Sequence, residues 1–235
     1  MRQLTGQLWW INELAPAAGV YLWQDVDGLI LFDCGMPWHA RAILTALSQA
    51  GFAPTQVRYI LITHGDIDHI GGARALKEAT RAALVCHAVT GAIMQGRLQR
   101  TFGLGFVGTL PGLISRVLMG PIFHSIPVRA DELVIDGAAL PGGFKAIYTP
   151  GHCAGHLAFY HPEARVLIAG DALSHHNGRL ALGPALFIED HVAALRSLAR
   201  LARLDVEILC CGHGEPILRE AQAKLRQLCQ SLGAG

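Results

Sequence analysis

Residues 57–72 read Val57-Arg58-Tyr59-Ile60-Leu61-Ile62-Thr63-His64-Gly65-Asp66-Ile67-Asp68-His69-Ile70-Gly71-Gly72. The first six form a short, β-favouring, mostly apolar run, which reads as a buried strand. That strand runs straight into a loop carrying two histidines and two aspartates. Alternate residues of an extended backbone point the same way, so His64 and Asp66 share one side. Asp68 and His69 fall at a helix start and can face a second centre. Gly71-Gly72 turns the chain, and Ala73 to Thr80 then has helical spacing.

Working outward, three more strands end in the same chemistry. Phe144-Lys145-Ala146-Ile147-Tyr148 leads into Thr149-Pro150-Gly151-His152. Val166-Leu167-Ile168-Ala169 leads into Gly170-Asp171, and Val206 to Cys210 leads into Gly212-His213-Gly214. Four strand ends therefore deliver histidine or aspartate, and a metal site needs donors whose spacing a rigid scaffold fixes. Imidazole and carboxylate together suit zinc, iron or manganese. Two centres a few ångströms apart need a shared anionic ligand, for which Asp171 is the natural candidate.

Each residue also has a plainer explanation. The chain holds 12 histidines, and one alone is usually a surface or satisfied core residue. Asp66 or Asp68 alone would serve as a helix cap. Asp33, after the strand Leu29 to Phe32, and His156, four places after His152, read as supports behind the ligands. His175 and His176 are candidates for substrate contact. Chance does not place the whole set at four separate strand ends.

The remaining pattern is α/β. Gln7 to Ile11, Gly19 to Trp23 and Gly28 to Phe32 are predicted strands, the last two joined by a hairpin at Asp27-Gly28. Ala83 to Cys86 and Leu157 to Tyr160 are two more. His39 to Ala50, stopped by Gly51, His191 to Arg203 and Ile217 to Leu232 have helical periodicity. Ile60 to His64 is echoed by Ala146 to His152, a threonine-terminated strand followed by a histidine loop, which suggests two similar halves. No low-complexity linker intervenes, so residues 1–235 are expected to form a single domain.

Hydrophobic residues make up 51% of the chain and charged residues 16%, a balance that supplies a large core and excludes disorder. A net charge of +1 with histidine neutral lacks the basic excess of a nucleic-acid-binding domain. Cys34, Cys86, Cys153, Cys210, Cys211 and Cys229 form no Cys-x-x-Cys pair and read as reduced thiols in a cytoplasmic protein. No apolar signal segment follows Met1. The stretch 95–128 is the exception to the regular pattern. Its apolar core, Phe102 to Phe123, is interrupted by Pro111, Arg116 and Pro121, so stable membrane insertion is not expected. A lid that walls the site and accepts an apolar substrate is expected there, with a homodimer interface or a membrane-surface contact as the alternative.

Taken in order, Thr63-His64-x-x-x-Asp68-His69-x-Gly71-Gly72, Gly151-His152-x-x-Gly155-His156, Gly170-Asp171 and Gly212-His213-Gly214 resemble the metallo-β-lactamase superfamily over nearly the whole chain. The resemblance implies a four-layer αββα sandwich with a dinuclear site along one edge. It implies that His64 and His152 hold the first metal, that Asp68, His69 and His213 hold the second, and that Asp171 bridges. The family has histidine where this chain has Asp66. A carboxylate there also resembles flavodiiron proteins, so Asp66 is counted as a first-site ligand that favours a harder metal.

The expected cofactor is two divalent ions, zinc first, with iron or manganese as alternatives. The implied reaction is hydrolysis of a small-molecule carboxylic ester, lactone or thioester by a metal-bridging hydroxide. Two cations lower the pKa of the shared water to about 7, and Asp68 orients it and takes its proton. Phosphodiester cleavage is the alternative within hydrolysis, and iron-based redox chemistry is a separate class. Lactonases of the family carry tyrosine where this chain has Ser174, and its glutathione-thioester hydrolases carry a longer helical extension after the last histidine.

Overall fold

A strand apolar on every residue must be covered on both faces, and Gly28–Phe32 is such a strand. In the computed structural model, which describes residues 1–14, 18–100 and 127–234, Leu29 and Leu31 point to one side of it, packing with Ile43, Leu47 and Leu76. Ile30 and Phe32 point to the other, packing with Phe144, Leu157 and Phe159. This alternation sets the layers.

The first sheet contains β1 (Arg2–Gln3), β2 (Leu8–Ile11), β3 (Val20–Asp25), β4 (Gly28–Phe32), β5 (Val57–Leu61), β6 (Ala83–Cys86) and β7 (Glu132–Leu133), ordered as in sequence. The second contains β8 (Lys145–Tyr148), β9 (Leu157–His161), β10 (Val166–His176), β11 (Arg179–Ala181) and β12 (Ile208–Gly214), with β12 parallel to β10. Helices α1 (Ala40–Gln49) and α3 (Ala73–Thr80) cover the outer face of the first sheet. The short α2 (Ile67–Ile70) precedes α3, and α4 (Ala88–Met94) follows β6. Helices α5 (His191–Leu201) and α6 (Ala221–Ser231) cover the outer face of the second sheet through Leu198, Leu201 and Leu225. The layers run αββα.

The core between the sheets is aromatic. Phe144 stands edge-on to Trp23, ring centroids 5.3 Å apart at 89°, and lies 4.9 Å from Phe32. Such pairs contribute roughly 0.5–1.5 kcal/mol beyond the area they bury. The echo between the halves matches this division, since β5 lies in the first sheet and β8 in the second.

Three boundaries differ from the sequence expectation by more than two residues. β10 does not end at Ala169 but continues to His176, and β12 continues to Gly214. Asp171 and His213 thus sit inside strands rather than after them. The cause is a double irregularity in the β10–β12 ladder, with register shifts between Ile168 and Gly170 and between Gly170 and Ser174. Gly170 takes a φ of 51° there. A bulge re-aims a side chain without ending the strand. The last helix starts at Ala221 rather than Ile217, because Ile217 bridges back to Leu209.

Of the 95–128 stretch, residues 101–126 lie outside the described residues, and so does the lid expectation that rests on them. Its N-terminal end, to Arg100, is described, and Val128 N donates to Met94 O at 3.0 Å on its return. Among the described residues no helix is long and apolar enough to cross a membrane.

Candidate metal centre

All seven candidate donors come together at one edge of the sandwich. His64 Nε2, Asp66 Oδ2 and His152 Nε2 form one group, with Asp66 Oδ2 at 3.5 Å from His64 and 2.9 Å from His152. Asp68, His69 and His213 form a second, in which Asp68 Oδ2 lies 3.4 Å from His213 Nε2. Asp171 stands between them. Its Oδ2 is 3.2 Å from His213 Nε2, 3.7 Å from His152 Nε2 and 3.9 Å from His64 Nε2, and its Oδ1 is 3.1 Å from His69 Nε2. The loop after β5 and α2 supplies four donors, and the second half of the chain supplies three.

The donor chemistry fits a metal. His64 Nε2, His69 Nε2 and Asp171 Oδ1 are buried and have no hydrogen-bond partner of acceptable geometry, an arrangement that costs free energy unless a further group satisfies it. The local field favours cations. Burial pushes the His69 imidazole down, but Asp171, Asp33 and Asp68 together hold it well above its ordinary value. Burial pushes the Asp171 carboxyl up, yet His69 and His213 keep it well below the usual carboxylate range.

A second layer decides which ring nitrogens face inward. A carboxylate can only accept, so Thr63 Oγ1 donates to Asp33 Oδ2 at 2.8 Å and accepts from His64 Nδ1 at 2.9 Å. That leaves the His64 Nε2 lone pair for the site. His69 Nδ1 also donates to Asp33 Oδ2, and Thr63 N donates to Asp33 Oδ1, each at 2.8 Å. Asp33 holds a φ of 62° to do so. His156 is fully buried behind His64, 5.0 Å between ring centroids, with Nδ1 2.7 Å from Thr149 Oγ1. Burial, then His64 and His152, push it well down, so it stays neutral. Both threonines of the sequence echo thus hold a histidine, although in the second half it is His156 rather than His152.

Asp66 is the N-cap residue of α2 by position, but its carboxylate makes no cap hydrogen bond. Its other partner was not foreseen: Arg100 Nε donates to Asp66 Oδ1, and Arg100 also pairs with Glu189. The sequence signal for this was a single arginine at the start of an apolar stretch, with partners far away in the chain. Cys153 is buried, and burial pushes its thiol up to about 12, so it stays protonated. His175 Nδ1 lies 2.8 Å from Glu215 O, and neither His175 nor His176 joins a donor group among the described residues.

Residues 18–213 match the family described as Metallo-beta-lactamase superfamily. A Bacillus subtilis protein named probable metallo-hydrolase YflN is 27% identical over 239 residues, 94% of this chain and 89% of that protein. A hydroxyacylglutathione hydrolase of Pseudomonas savastanoi is 34% identical over 215 residues, 86% of this chain and 66% of that protein. Among solved structures, TTHA1623 in a di-iron-bound form superposes with a TM-score of 0.69 at 25% identity, covering 91% of this chain and 94% of that one.

Proposed function

The chain belongs to the metallo-β-lactamase superfamily and is a metal-dependent hydrolase, and from that premise we propose that it binds two divalent cations and cleaves a small-molecule carboxylic ester, lactone or thioester. The observation that carries the dinuclear reading is Asp171, one carboxylate within 3.9 Å of donor nitrogens from both groups. His64, Asp66 and His152 would hold one cation, Asp68, His69 and His213 the other, and Asp171 both. Zinc suits this donor set, and the carboxylate of Asp66 extends the choice to iron or manganese. The bound pair would supply an acidified water and a Lewis acid for the substrate's oxygen.

The protein's own residues do the rest. Asp33 and Thr63 lock the His69 and His64 rings, so the donors need no reorganisation as charge develops. Asp68 is only partly buried, its side chain 24% exposed, and reaches both its neighbours and the open side of the site. It accepts the proton of the attacking water and returns it to the leaving group. The thioester arm draws support from the activity named for the Pseudomonas savastanoi relative.

The test is a panel of aryl esters, lactones, acyl-glutathione thioesters and bis-aryl phosphates, assayed on as-isolated, chelated and metal-restored protein. Carbonyl-substrate turnover that falls on chelation and returns with metal supports the reading. Turnover of the phosphodiesters alone moves the substrate to phosphorus.

A further inference from the structure

Asp66 presents its two oxygens to different neighbours. Oδ2 lies among imidazoles, 2.9 Å from His152 Nε2 and 3.5 Å from His64 Nε2. Oδ1 accepts from Nε of Arg100. The Arg100 side chain is only 8% exposed, and its remaining nitrogens are anchored to the wall of the site. One donates to Glu189 Oε1, and another donates to His152 O at 2.9 Å and Phe187 O at 3.1 Å. Glu189 is itself fixed, its Oε2 accepting from Ala154 N at 2.9 Å and its N donating to His152 O at 3.2 Å. The guanidinium therefore links the loop after β5, the loop after β8 and the segment before α5 at one point. A planar fork held in several directions is a geometric device, which a lysine or a water would not reproduce.

We propose that Arg100 is a positioning residue that makes Asp66 a one-oxygen donor and so sets the metal preference of the centre formed by His64, Asp66 and His152. The inference rests on the reading above that these three residues hold a cation. With Oδ1 engaged by the guanidinium, only Oδ2 faces the imidazoles. Because Arg100 also pairs with Glu189, its charge is shared between two carboxylates, and what it controls is the number of oxygens Asp66 offers. Low coordination number favours zinc over manganese, which takes more oxygen donors. Without Arg100, Asp66 chelates through both oxygens, and preference moves towards the harder metal.

The experiment uses full-length protein stripped of metal and loaded with cobalt(II), whose visible absorption weakens as coordination number rises. Parent, Arg100→Met, Glu189→Gln, Asp66→His, His152→Ala and the double variant Asp66→His with Arg100→Met are compared. Cobalt equivalents, visible spectrum and the zinc-to-manganese affinity ratio are measured for each. The parent is expected to take two equivalents. Arg100→Met is expected to keep both, lose visible intensity and lower the zinc-to-manganese ratio by about tenfold. Glu189→Gln, which loosens the anchor without removing Arg100, should shift the same way by a smaller factor and decides the matter if Arg100→Met does not fold. In the Asp66→His background the Arg100 change should alter neither readout, because no second oxygen remains to be freed.

Unchanged spectra and ratios with two equivalents bound overturn this inference and leave the dinuclear reading standing. The same holds for a change of equal size in the Asp66→His background. A parent that binds a single equivalent, with His152→Ala binding just as much, overturns the reading and the inference together.

Discussion

Nδ1 of His69 donates to Oδ2 of Asp33 across 2.8 Å, and that bond determines that the opposite ring nitrogen, Nε2, faces Asp171. The same carboxylate accepts from the Thr63 hydroxyl and backbone, and Thr63 in turn orients His64. One side chain outside the donor groups thus governs the tautomer of a histidine in each.

Asp33→Ala should lower metal affinity by about 10–100-fold, the usual effect of removing a partner behind a ligating histidine. Zinc release to a colorimetric chelator measures it. The variant also leaves the buried Thr63 N–H without its acceptor, at a cost of about 1–3 kcal/mol, visible as a lower Tm. Unaltered affinity would show that His69 keeps its orientation without Asp33.

Asp171→Ala should bring bound metal to one equivalent or fewer and reduce kcat by orders of magnitude, on the order of 100-fold or more, because both centres lose a donor. Elemental analysis and turnover on the best ester or thioester are the readouts. Near-normal values of both would remove Asp171 from the centre.

Gly212→Ala tests how tightly Asp171 is framed. A Cβ at Gly212 would collide with Asp171 Oδ1 and with the backbone at Gly170 and Asp171. Turning the carboxylate relieves only the clash with Oδ1, so β10 and β12 must also part locally to clear the backbone. Overpacking of this kind costs about 1–3 kcal/mol. Metal content should fall along with Tm, whereas a fall in Tm alone would mean that the strands spread and the carboxylate stayed in place.

Phe144→Ala should cost about 3–5 kcal/mol, the range for a large aromatic truncated in a close-packed core. Phe144 touches Trp23 and Phe32 of the opposite sheet, so the loss falls on the contact between the sheets. Urea unfolding provides the measurement. A cost below about 1 kcal/mol would mean that the aromatic cluster collapses to fill the space.

The architecture was legible where burial and period agree. The strand before Thr63 could be read because it is covered on both faces, and the hairpin at Asp27-Gly28 because its turn chemistry is local. All seven candidate donors could be nominated because they stand beside apolar runs. The true extents of β10 and β12 were not legible. Beyond Ala169 the strand carries Gly170, Asp171, Ser174, His175 and His176, which break any apolar alternation, and pairing with β12 and β11 keeps it extended. Helix α4 was missed because its seven residues include Gly91, a poor helix former at a place where a Cβ would press on the Leu133 side chain. Arg100 was missed as a site residue because nothing near it in sequence hints at Asp66 or Glu189.

Four candidate donors come from the half of the chain that builds the first sheet and three from the half that builds the second. Besides the close-packed apolar faces, direct bonds such as Tyr21 Oη to Cys211 O at 2.9 Å and Leu157 N to Thr63 O at 2.8 Å hold the two slabs in register. Imidazoles and carboxylates from both slabs, meeting within a few ångströms, tolerate no slip: a displacement of one residue along a strand, about 3.3 Å, would part His64 from His152. The cluster therefore acts as a further alignment pin for the sandwich, and a cation seated there would tighten it.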